Sequence, residues 1–247
     1  MELTPEVQIN GIITLIATLL VFLFCFIVFK KAIKKRERIL GVFSILLALV
    51  YSPWYPGVIG YIYWLLYNDL LGYEFYIFTG SIFMPISLIL WLYIYFDTIF
   101  PELRNKVLIF NIIFGVVFEL VVLYLLFLIP NSPIKPLLGE VDSSKLDYNW
   151  SVIPLIFTFY ASIFVIITGI HFSIKALRTD IRSFQLKGRF LLTGFIAWTI
   201  VAIVDSLTLW NPVIIIFLRL GLLIASLCFY IGFILPSWIR KLFSIED

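Results

Sequence analysis

Apolar residues run through this chain in stretches about as long as a bilayer is thick, separated by short polar gaps. A hydrocarbon core of ~30 Å takes about 20 helical residues to cross. Within lipid the exposed backbone must satisfy its own hydrogen bonds, which a helix does. The pattern predicts seven spans, at residues 9–29, 39–67, 75–95, 107–129, 150–172, 190–209 and 213–235. The expected fold is all-α, one seven-helix transmembrane bundle over residues 1–247 with no soluble domain.

The second stretch is ambiguous, because Pro53 and Pro56 lack the N–H of an unbroken helix and would permit two crossings. Charge decides the count. With one kinked crossing, 15 of the 18 Lys and Arg fall in gaps on one side, against only Lys135 and Lys145 opposite. The clusters are Lys30 to Arg38, then Arg104 and Lys106, then Lys175 to Arg189, then Arg240 and Lys241. Splitting the span would divide these cations almost evenly and erase the bias that orients membrane proteins. Seven crossings place the N-terminus outside and the C-terminus inside a cell membrane. Pro53 and Pro56 then mark a kink or local unwinding of helix two.

Composition agrees: 62% of residues are hydrophobic and 13% charged, where soluble domains carry about 25% charged residues. Residues 1–10 are acidic and polar, without the basic region and cleavage site of a removable signal peptide, so the first span is expected to stay as an anchor. Cys25 and Cys228 fall inside apolar spans, which predicts buried thiols and no extracellular disulfide. The inner basic loops are expected to lie against anionic lipid headgroups of the bilayer or to dock an acidic cytoplasmic partner. No nucleic acid and no cofactor is expected.

Trp210-Asn211-Pro212 is short enough to make helices six and seven antiparallel neighbours. Residues 130–149 carry Pro130, Pro133, Pro136, Gly139, Glu140, Asp142 and Asp147, and read as an acidic outer lid or an irregular surface loop. Aromatic residues crowd the same side and mostly suit an interfacial belt. Tyr51, Trp54 and Tyr55 differ. They flank the prolines at depth, where a bent helix opens space, and are candidates for a pocket wall.

Ionisable side chains in or beside apolar spans cost about 2.5–3.5 kcal/mol each at a helix centre and usually face partners inside the bundle. Four stand out: Glu119, Asp205, Arg219 and His171. Asp205 and Arg219 lie at similar distances from the turn at Asn211, so they are expected to pair, either as a clasp between helices six and seven or as a switch. Glu119 has no basic neighbour on its own helix and must be neutral or paired across helices. If Arg219 serves both carboxylates, the three form one polar centre, which Asn111 would extend. His171, near the inner surface, is expected to meet headgroups.

Catalysis is not expected. There is one His, no His/Cys/carboxylate cluster with metal spacing, no phosphate-cradling glycine loop and no Ser/His/Asp set. Residues 213–235 contain no Lys, which excludes a retinal Schiff base, and the guanidinium of Arg219 cannot replace one. Helices one to three and five to seven share a basic first loop and a late proline but do not otherwise align. No two glycines stand four apart, so the Gly-x-x-x-Gly packing motif is absent.

The segment Arg182-Ser-Phe-Gln-Leu-Lys-Gly-Arg-Phe-Leu-Leu-Thr-Gly, with Asp205 in the helix it leads into, is followed by Phe229-Tyr-Ile-Gly-Phe-Ile-Leu-Pro-Ser-Trp. Together they resemble the seven-helix sensor region ahead of some prokaryotic histidine kinases, and stand-alone relatives of that region. The resemblance covers the last third of the chain and implies signal reception. Those kinases continue into catalytic domains, whereas this chain runs only to Asp247, so output would pass to a separate protein. The expectation is a receptor-like protein binding a small or lipid-like ligand on Glu119, Asp205 and Arg219. The rival is a transporter or proton pathway with Glu119 as carrier and Asp205–Arg219 as gate.

Overall fold

The structure, a computed structural model, describes residues 3–129, 133–141, 146, 148–207 and 212–245. Among them, seven helical stretches are long and apolar enough to cross a membrane, as the hydropathy pattern predicts. The first is α1 (Pro5–Lys35). The second is broken into α2 (Arg38–Leu49) and α3 (Tyr55–Tyr67), and the third into α4 (Tyr73–Ser81) and α5 (Met84–Ile99). Next come α6 (Pro101–Leu123), with a π-helical turn at Tyr124–Leu128, then α7 (Val152–Leu177), α8 (Arg182–Leu207) and α9 (Pro212–Ile234). A short α10 (Ser237–Leu242) closes the chain.

Several helices run past the apolar limits into the basic gaps. Lys and Arg are good helix formers, and their long stems lie along apolar surface while the charge reaches out. Lys31, at the end of α1, donates to the carbonyl of Ile234 at 2.9 Å and so caps the last turn of α9. Prolines mark the starts. Pro5, Pro85 and Pro101 each sit in a first helical turn, where a missing N–H costs nothing.

The neighbour relations close a ring: α1 against α2, α2 against α5, α5 against α7, α7 against α8, α8 against α9, and α9 back against α1. Small residues set the closest approaches. A Cβ on Gly194 would meet the Phe229 ring at 2.9 Å, so its absence lets α8 lie close against α9. The fourth span stands outside the ring. Gly115 of α6 abuts Pro85 of α5, and Phe114 and Phe118 stack on Phe157 of α7 at 5.8 and 4.3 Å.

The connection expected as a lid is folded. After a turn at Lys135–Leu137, β1 (Gly139–Val141) pairs antiparallel with β2 (Tyr148–Trp150). Leu138 and Tyr148 are buried beneath it. Tyr73 donates to the carbonyl of Gly139 at 3.0 Å, and Lys135 pairs with Glu74 at 3.0 Å, tying the hairpin to the start of α4. Gly139 has φ 138°, a conformation that favours glycine, and Gly80 leaves the space that the Tyr148 hydroxyl occupies. Pro130, Asp142, Lys145, Asp147 and the turn at Trp210 and Asn211 lie outside the described residues.

Candidate functional site

The break in the second span builds the site. Without N–H groups on Pro53 and Pro56 the α-helical ladder cannot continue, and Ser52–Trp54 forms a 3-10 turn instead. That turn re-aims three aromatic side chains. Tyr51 donates to the carbonyl of Leu222 on α9 at 2.8 Å and also hydrogen-bonds Ser226. Tyr55 donates to the carbonyl of Ala48 and stacks on Phe22 of α1 at 5.8 Å. Trp54 points into the bundle and donates its Nε1–H to Oδ2 of Asp205 at 2.6 Å.

Asp205 and Arg219 pair as their positions predict, with Nη1 to Oδ1 at 3.0 Å. Arg219 is the largest fully buried side chain. Its Nε donates to Oγ1 of Thr14 at 3.2 Å, Thr14 in turn donates to Oδ1 of Asn10 at 3.3 Å, and its guanidinium lies 5.8 Å from the Trp54 ring centre. Four spans therefore meet at one ion pair: α1 through Thr14, the second through Trp54, α8 through Asp205 and α9 through Arg219. Charge-assisted bonds of this kind are about twice as strong as neutral ones. Breaking one side would strand a buried charge.

Beside this centre the ring lines a cavity of about 100 Å³. Trp54 and Asp205 belong to its wall, together with Pro53, so the break in the second span and the ion pair both face it. Trp150 of the lid lines it too. Further in, Phe43, Trp91, Phe195 and Phe229 make an aromatic floor. The vertical order follows from antiparallel packing. Gly169 of α7 faces Phe195 of α8, and Thr158 and Ser206 each lie eleven residues beyond that contact toward the lid. Thr158, Asp205 and Ser206 thus form a polar upper end. Trp198 lies seven residues below Asp205 on α8, about 10 Å at the helical rise.

Of the residues expected to form the pocket wall, only Trp54 lines this cavity; Tyr51 and Tyr55 fix the bend by bonding elsewhere. Glu119 is not brought to Arg219. It sits on α6 outside the ring, and it does not line the cavity. Both its carboxyl oxygens are buried with no hydrogen-bond partner among the described residues. The shared three-residue centre is therefore replaced by Asp205, Arg219, Trp54 and Thr14. Asn111 turns to α7, where it accepts from Tyr160 at 2.9 Å. His171 meets the Tyr95 hydroxyl at 2.7 Å through Nδ1 and stacks on Phe100 at 5.7 Å, inside an aromatic cluster.

Sequence reasoning passed over Asn10, Thr14, Thr158 and Trp198. Asn10 and Thr14 carried a signal, since polar residues four apart within an apolar span lie on one helix face. Trp198 carried one as well: it lies mid-span, too deep for an interfacial belt. Thr158 had none. No protein-family model, curated protein or solved structure matches this chain.

Proposed function

We propose that this chain is a receptor-like seven-helix membrane protein, which binds a small, largely apolar ligand in the cavity beneath the lid. The resulting change in helix packing would pass to a separate protein at the basic face. The observation that carries this reading is the double membership of Trp54, which walls the cavity and also holds Asp205. An occupant that moves the indole changes the support of an ion pair on which four spans converge. A ligand shifts such a bundle only by preferring one arrangement of it, and the broken second span supplies the movable element.

The charge bias orients the chain with its N-terminus outside and C-terminus inside a cell membrane. The basic ends of the helices, with Lys30, Lys34, Arg36, Arg178 and Arg182, then lie against anionic headgroups and present the readout surface. The resemblance to sensor regions of histidine kinases agrees with reception without catalysis. The transport reading gains no observation, because Glu119 is off the cavity and away from Arg219.

Spin labels at Arg36 and Asp180, in two loops at the basic end, test the proposal. Occupying the cavity, with a small-molecule extract of the source membranes or with the larger side chain of Ala161→Phe, is expected to shift their distance distribution. An unchanged distribution with the cavity filled argues against signalling.

A further inference from the structure

Residues of the cavity wall whose buried polar atoms lack protein partners among the described residues point to what an occupant would bring. Trp198 lines the cavity, is only 8% exposed, and its Nε1–H has no acceptor among the described residues. The Thr158 hydroxyl, on the same wall, is also without a partner among the described residues. Native interiors satisfy nearly all such groups. Three other polar groups of the wall are already engaged: the Trp91 indole donates to Thr168 at 2.7 Å, the Ser87 hydroxyl to the carbonyl of Met84 at 2.8 Å, and the Ser206 hydroxyl to that of Ala202.

The charge on the wall is engaged as well. Asp205 gives one oxygen to Arg219 and the other to Trp54, so a cationic ligand would have to displace the guanidinium, and an anionic one would face a carboxylate. We infer that the cavity takes an uncharged, largely apolar molecule whose hydrogen-bond acceptor, a carbonyl or ether oxygen, receives the indole N–H of Trp198. Its apolar body lies on the aromatic floor. The Thr158 hydroxyl serves a second polar atom nearer the lid. This rests on the ligand site proposed above and names the chemistry of its occupant. Sites built around an unmade hydrogen bond reject analogues that cannot complete it.

Four probes of similar size separate the possibilities: acetophenone, ethylbenzene, benzoate and 1-phenylethylammonium. Each is titrated into the full chain in lipid nanodiscs while the indole resonances of Trp198 and Trp91 are followed. Acetophenone is expected to shift both and to bind about tenfold more tightly than ethylbenzene, with the two charged probes weakest. In Trp198→Phe, which keeps a ring and removes the donor, the preference should vanish at the Trp91 signal. Thr158→Val should keep it. Equal affinity for acetophenone and ethylbenzene in the wild type, or a preference for either charged probe, overturns the acceptor assignment while leaving a ligand site standing. No shift at either indole with any probe overturns the ligand site itself.

Discussion

Two carboxyl groups lie within the spans of this protein, and their surroundings are opposite. Asp205 is held by a guanidinium and an indole N–H, with a threonine and an asparagine behind the arginine. Glu119 has no hydrogen-bond partner among the described residues and sits on a helix outside the ring. An intramembrane charge marks a place worth inspecting, but partners decide what it does. Asp205 is bound into the mechanical junction of four spans. Glu119 lies apart from that junction.

The largest effect separating the two regions is expected from single truncations of the ion pair. Asp205→Leu strands the fully buried Arg219 and should destabilise the bundle by about 3–5 kcal/mol, and Arg219→Leu, which leaves Asp205 its bond from Trp54, should cost less; the double substitution should recover much of that loss in thermal unfolding from detergent micelles. Trp54→Phe keeps the ring under Arg219 but removes the donor to Asp205, and should cost about 1.5–3 kcal/mol, the range for a hydrogen bond to a charged group. Glu119→Leu should move the other way. Removing a buried polar group that has no partner is expected to stabilise by about 1–3 kcal/mol, seen as a raised midpoint in the same assay. Thr14→Val, which removes the outer support of Arg219, should show the smallest change, a loss of about 1 kcal/mol.

The same contrast explains what was legible in the chain itself. Span number and the Asp205–Arg219 pair followed from hydropathy and from distance to a short turn, both local properties. The placement of Glu119 did not, because whether a span lies in a ring or outside it depends on non-local packing, such as Gly115 against Pro85. Pro53 and Pro56 announced a bend but not its direction. Only the 3-10 turn shows that Trp54 swings toward Asp205 while Tyr51 turns to α9 and Tyr55 to α1. Hydropathy located the lipid-length core of each helix and missed the basic ends, which remain helical.

The role of the ion pair turns on whether Arg219 is energetically joined to Asp205 and not to Glu119. Double-mutant cycles in one membrane-unfolding assay measure this, pairing Arg219→Leu first with Asp205→Leu and then with Glu119→Leu. The expected result is a coupling of about 2 kcal/mol or more for the first pair and a value within about 0.5 kcal/mol of zero for the second. Comparable coupling in both cycles would contradict it and would return Glu119 to a shared polar centre.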